Sequence, residues 1–166
     1  MSASYDITEC SSKYDYDILF PNNIYDDIKR IIKQDITSLN ISKVLSNFSY
    51  IKDNIIIIDA RFFKLIAIPE HYEIFKIYLS NTIRKMLEET NTKTIVFHFN
   101  IKSINIIDLD KHSSFIINLA KYMAETFPDK LEKCYLYGSG VIIQGLYSLL
   151  SYIIDKKTQH RIVIVK

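Results

Sequence analysis

Apolar residues return every three or four positions in four stretches of the chain and run almost unbroken in three others. From Asn22 or Asn23, either of which can cap a helix, "IYDDIKRIIKQDITSL" sets Ile24, Ile28, Ile31, Ile32, Ile36 and Leu39 at helical spacing. That spacing predicts a helix with one face on a core. "SKVLSNFSY" and "NIIIIDARF" are rich in β-formers and are separated by "IKDN", which predicts a hairpin or a pair of adjacent strands. The four isoleucines Ile55 to Ile58 predict a strand covered on both faces. Pro69 opens a helix that runs to about Thr90, with Tyr72, Phe75, Leu79, Ile83, Met86 and Leu87 as its apolar stripe. "KTIVFHFN" then predicts a strand and "IKSINIIDLDKH" a loop. Ser113 or Ser114 caps a helix "FIINLAKYMAETF" that Pro128 helps to end. "KCYLYG", "VIIQGLYSLLSYII" and "HRIVIVK" complete the chain as strand, helix and strand. This alternation predicts an α/β fold, a mostly parallel sheet with helices packed on it.

Residues 1–20 break the pattern: they are polar, rich in Ser, Tyr and Asp, and end at "FPNN". They read as a loose tail, which leaves 21–166 as a single domain. A chain of 166 residues is long enough for one sizeable core and too short for a separate cofactor module. The formal charge of +2 is far from the excess of a general nucleic-acid binder, so no nucleic-acid partner is expected. Cys10 and Cys134 lie in unlike surroundings and are expected to be reduced thiols in a cytosolic setting. The first residues lack the basic-then-apolar pattern of a secretory signal, which points to a cytoplasmic protein. Abundant Ile, Lys and Asn with scarce Ala and Gly is a bias of AT-rich coding, as in protozoa and large DNA viruses.

The stretch "CYLYGSGVIIQGLYSLLSYII", Cys134 to Ile154, holds all three glycines and no charge. Its 21 residues are just long enough for a membrane span. Gly138-Ser139-Gly140, however, divides it into a short strand and a helix of about fourteen residues, roughly 21 Å against a hydrocarbon core of ~30 Å. On that helix Gln144, Ser148 and Ser151 form one narrow polar stripe and apolar residues cover the rest. A surface helix of a small α/β domain normally has a charged side. This one is therefore either fully covered core or a helix that meets a bound apolar ligand on one side and a membrane on the other. The glycines do not form a dinucleotide fingerprint, because Ile143 stands where the third glycine belongs.

The order of features from Thr94 to Lys166 resembles the second half of the CRAL-TRIO, or Sec14-like, lipid-binding domain. A strand and loop lead to a helix that ends in an aromatic-Pro-acidic-basic turn, "FPDK", followed by the strand "KCYLY". The apolar helix "VIIQGLYSLLSYII" then stands where that family has its gate helix, and "DKKTQHR" links it to a last strand, "RIVIV". "IIIIDARFF" resembles the family's first core strand. The residues ahead of Asn54 are fewer than the family's N-terminal helical lobe uses, and "GSG" replaces the usual Asn-Ala-Pro type of turn, so the resemblance is to a reduced version.

That resemblance implies a protein that shields one phospholipid, a phosphatidylinositol or phosphoinositide, and exchanges or presents it at membranes. No cofactor beyond the lipid is implied. The acidic residue of the aromatic-Pro turn and the basic residue before the last strand would hold the head group; here they are Asp129 and Arg161. A carboxylate accepts hydrogen bonds from inositol hydroxyls and a guanidinium grips phosphate through two parallel bonds. His160, Lys102 and Arg61 are further cations for additional phosphates. Ile142, Ile143, Leu146, Tyr147, Leu149, Leu150 and Ile153 would form the acyl-chain cavity and gate, with Gly138 and Gly140 as hinge points or turn glycines. Partners would be the lipid, a membrane surface met transiently, and a second copy that covers an exposed edge as a homodimer. The histidines show no metal-binding spacing and no acid-base or nucleophile constellation stands out, so no metal and no catalysis are expected. Two other readings remain: an interaction module of the STAS kind, which "INIIDLDKHSSFIINLAK" resembles, and an inactive remnant of an α/β enzyme.

Overall fold

A computed structural model describes residues 15–165. Helix α1 (Tyr16–Leu19) leads into α2 (Asn22–Gln34) and α3 (Ser38–Phe48), then strands β1 (Ser49–Lys52) and β2 (Ile55–Asp59). Helix α4 (Ala60–Ile66) and a 3-10 turn at Pro69–His71 precede α5 (Tyr72–Thr90) and β3 (Ile95–Asn100). The remainder runs α6 (Ile106–Lys111), α7 (Ser113–Thr126), β4 (Leu131–Tyr137), α8 (Gly140–Leu150), α9 (Lys156–Gln159) and β5 (Ile162–Val165). The strands form one sheet in the order β1-β2-β3-β4-β5, with β1 antiparallel to β2 and every later pair parallel. The α/β class is therefore as the alternation predicts.

Because side chains alternate along each strand, the register fixes two faces. Ile56 and Ile58 align with Phe97 and Phe99, these with Cys134 and Leu136, and these in turn with Ile162 and Ile164. This face carries the helices: Ile56 and Ile58 join Val44, Phe48, Phe75, Ile83, Met86 and Phe115 in the main core. The opposite face presents Ile55, Ile57, His98, Tyr135, Tyr137 and Val165, and Leu19 and Phe20 pack on it. All five residues of β2 are buried, which fits a strand covered on both sides.

Four local readings are corrected. "SKVLSNFSY" is mostly helix: Thr37 caps α3, accepting a hydrogen bond from the Asn40 amide, and Val44, Leu45 and Phe48 face the core at helical spacing. "IKSINIIDLDKH" contains α6, started by a reciprocal box in which Asn105 and Asp108 bond each other's backbone amides. Neither Ser113 nor Ser114 caps α7; the cap position is His112, whose ring lies buried against Tyr72 and Phe63. Finally, Leu19 and Phe20 of the segment read as a tail are packed on the sheet, with Tyr16 half-buried beside them and Phe20 1% exposed; residues 1–14 lie outside the described residues.

Candidate functional site

The helix-covered face is sealed over β2 and open further along. Phe97 and Phe99 belong to the central strand, yet both remain partly exposed, as do Cys134, Ile162 and Ile164 beside them. A central strand meets solvent only through a gap in its cover. The side chains around this gap come from α7, through Ile116, Leu119 and Met123, and from α8, through Leu146. All of them are half-buried and apolar. Cys134 marks how recessed the floor is: burial pushes its thiol up to about 12, although the residue keeps partial exposure. We read this half-covered apolar surface, with β3–β5 as floor and α7 and α8 packed beside it, as a shallow apolar crevice.

Helix α8 is buried at its N-terminal end and half-covered beyond it. Ser139 caps it, accepting from the Ile142 amide, and Ile142 and Ile143 are buried with Ile101, Leu109 and Leu136. Leu109 also closes on Gly145, where an added Cβ would lie 3.1 Å from Leu109 Cδ1. Beyond that turn Leu146, Tyr147, Leu149, Leu150 and Ile153 are all half-buried, and Tyr152 is 98% exposed. The two glycines that flank the Ser139 cap differ. A Cβ on Gly138 would meet Ile101 Cγ1 at 2.7 Å, so this glycine permits a close approach, whereas Gly140 has nothing within 4 Å and no steric need for glycine.

The five head-group candidates divide between the two ends of the sheet. Asp129 sits at φ 58 in the turn before β4, and Arg161 immediately precedes β5. Arg161 Nη1 donates to the Leu131 carbonyl, and the Cys134 amide donates to the Arg161 carbonyl at 2.9 Å, which brings the two positions to one end. His160 is exposed beside them. Arg61 and Lys102 lie at the other end of the strands, about 17 Å away along a six-residue strand. No single head group reaches both.

Arg61 is therefore corrected to a structural role, and Lys102 lies with it, exposed, away from the Asp129 and Arg161 end. The Arg61 guanidinium is buried, donating to Asp59 Oδ2 at 2.8 Å, Asn22 Oδ1 at 2.7 Å and the Phe20 carbonyl at 3.2 Å, and it lies 4.7 Å from the Tyr25 ring centre. Although burial by itself would lower its pKa, the Asp59 hydrogen bonds and charge raise it, so the guanidinium stays charged. Lys102 Nζ rests 3.8 Å from the Tyr16 ring centre, and Asn100 Nδ2 donates to the Tyr16 hydroxyl at 2.9 Å. Together these groups fasten residues 16–22 across the sheet end. Sequence reasoning missed this clasp, though the close Asp59 and Arg61 in "IIIIDAR" are its signal.

Among the described residues no group of His, Cys, Asp and Glu is placed to hold a metal ion, and no helix is long and apolar enough to cross a membrane. No curated protein matches the sequence. The fold is similar to the crystal structure of Sfh5, with a TM-score of 0.57 at 14% identity. The match covers 84% of this chain and 52% of that one, so the chain spans about half the length of this structural neighbour. The family model described as "CRAL/TRIO domain" matches residues 52–166, which takes in the crevice, α8 and the Asp129 and Arg161 end, and decides against the STAS resemblance. The chain belongs to the CRAL/TRIO family of lipid-binding domains.

Proposed function

We propose that this protein carries one phospholipid, its acyl chains in the crevice beneath α8 and its head group at the Asp129 and Arg161 end, and exchanges or presents it at membranes. The observation that carries this reading is the state of α8: an uncharged helix, anchored by Ile142 and Ile143, whose remaining apolar side chains are half-covered over an open apolar floor. Exposing some thirty acyl methylenes to water would cost about 24 kcal/mol at ~0.8 kcal/mol each. A carrier must therefore cover nearly all of them, and a charge-free wall does so without burying an ion. Transfer of the same chains from bilayer to crevice is close to neutral, so exchange needs only that α8 swing while the protein is docked on the membrane.

The head group favoured by the polar end is phosphatidylinositol. Asp129 offers a carboxylate on a sharp, exposed turn, and Arg161 keeps further guanidinium donors beyond its bond to Leu131. His160 stands next to Arg161 for an additional phosphate. The reading implies a peripheral, cytoplasmic carrier whose activity is binding and transfer. The test is transfer of pyrene-labelled phosphatidylinositol and phosphatidylcholine between vesicles by the protein and by Asp129→Ala, because only the inositol head offers hydroxyls to this carboxylate whereas both lipids offer a phosphate to Arg161. Loss of about tenfold for phosphatidylinositol, with phosphatidylcholine unchanged, is expected for one charge-assisted contact. Equal behaviour of the variant on both lipids would remove Asp129 from the head-group site.

A further inference from the structure

We propose that Gln159 is the positioning residue that holds the free end of α8 closed, and that it thereby sets how fast a lipid enters and leaves the crevice. The second half of this inference rests on the carrier reading above. At the end of α8 the Leu150 carbonyl accepts from the Ile153 and Ile154 amides, and the turn of residues 151–154 that follows has no charged side chain. Gln159 ties this turn, together with Tyr147 of α8, from outside. Its Nε2 donates to the Ile154 carbonyl at 2.8 Å and to the Ser151 carbonyl at 3.4 Å, while its Oε1 accepts from the Tyr147 hydroxyl. The hydroxyls of Ser148 and Ser151, by contrast, donate back to α8's own segment, to the carbonyls of Gln144 and Ser148.

The other end of this contact is fixed. Gln159 closes α9, which Asp155 caps through the Thr158 amide at 2.7 Å, and the Arg161 amide donates to the Thr158 carbonyl at 3.0 Å before the chain enters β5. The latch is thus tied to the sheet, and α8 beyond its first turns is tied to the latch. A glutamine suits the task chemically. One neutral amide both donates and accepts, so three polar atoms of an otherwise apolar segment are held without an ion being desolvated. When the contact opens, water takes over the same groups, and the net cost is small enough for reversible gating.

The test compares the full chain with Gln159→Ala and Gln159→Glu by two readouts. The first is amide hydrogen exchange of residues 147–154 without lipid; the second is transfer of pyrene-labelled phosphatidylinositol between phosphatidylcholine vesicles. In Gln159→Ala both should rise roughly five- to thirtyfold, the factor for losing one or two net hydrogen bonds, with α5 exchange unchanged. Gln159→Glu keeps the acceptor for Tyr147 and loses the donor, and protonation of its carboxyl as pH falls toward ~4 restores one. Its transfer rate should therefore approach that of the parent chain at low pH, whereas Gln159→Ala should not. Unchanged amide exchange in Gln159→Ala overturns the latch while leaving the carrier reading intact. Faster exchange with unchanged transfer overturns its control of the gate. Absence of transfer by the parent chain overturns the carrier reading, and gate control with it.

Discussion

Helices α5 and α8 cover the same face of one sheet and end in different states. α5 turns Phe75, Leu79, Ile83 and Met86 fully inward and keeps Glu73, Lys85 and Glu89 in water, the ordinary division of a surface helix. α8 has no charged residue to turn outward, yet only Ile142 and Ile143 are buried. A core helix that apolar would be expected to be covered all round. What α8 lacks is full apolar cover for its second half, over a floor of Phe97, Phe99, Cys134, Ile162 and Ile164 that is itself partly open. The difference separates a region that folding completes from one that folding leaves half-covered, where the proposed lipid would lie.

Mutation should break or sharpen this contrast. Phe75 is 0% exposed and meets the rings of Phe48 and Phe63, each with centres 4.9 Å away. Phe75→Ala should cost about 3–5 kcal/mol of stability in a urea titration. Leu150→Ala on α8 should cost less than about 1 kcal/mol, because a half-buried side chain has less to lose. Equal costs would make the second half of α8 ordinary core and remove the contrast.

A smaller effect concerns the sheet face beneath α1, which lies outside both helices. Burial lowers the pKa of His98 from 6.5 to about 4; its ring is stacked on Tyr135 at 4.6 Å, and its Nδ1 is 2.7 Å from the Tyr137 hydroxyl. Between these two values the unfolded chain takes up a proton that the folded chain refuses. Stability from this source is complete above pH ~6.5 and is lost as pH falls through ~4, on the order of 3 kcal/mol. His98→Asn should flatten that part of the pH–stability curve. A curve of unchanged slope would show that His98 titrates normally in the fold.

The sequence was most informative where one local pattern had one physical meaning. Ile55 to Ile58 could be only a strand covered on both faces, and the uncharged run after Ser139 could be only a helix unlike the others. α3 was hidden because its Val44 and Phe48 are β-formers, and packing overruled propensity once Thr37 had started the helix. α6 is only six residues long, though the Asn105 and Asp108 box announces it. Leu19 and Phe20 were lost in the polar composition around them, since nothing local says which apolar pair will find a sheet. At the site, Asp129 and Arg161 could be paired only through the family resemblance, because their neighbourhood depends on strands aligned thirty residues apart. Arg61 was misassigned because a cation near a strand end reads alike whether it faces a phosphate or, as here, a buried carboxylate and a carbonyl. Gln159 left no signal at all: its meaning arises only when α9 folds back on the end of α8.

The central claim, that α8 is completed by a lipid, is tested most directly by native mass spectrometry of the full chain after incubation with mixed-phospholipid vesicles, set against the denatured mass. The account predicts one added mass equal to a single phospholipid, drawn mainly from the phosphatidylinositol in the mixture. A bare protein mass, under conditions in which an established carrier retains its lipid, would contradict it and return α8 to the core.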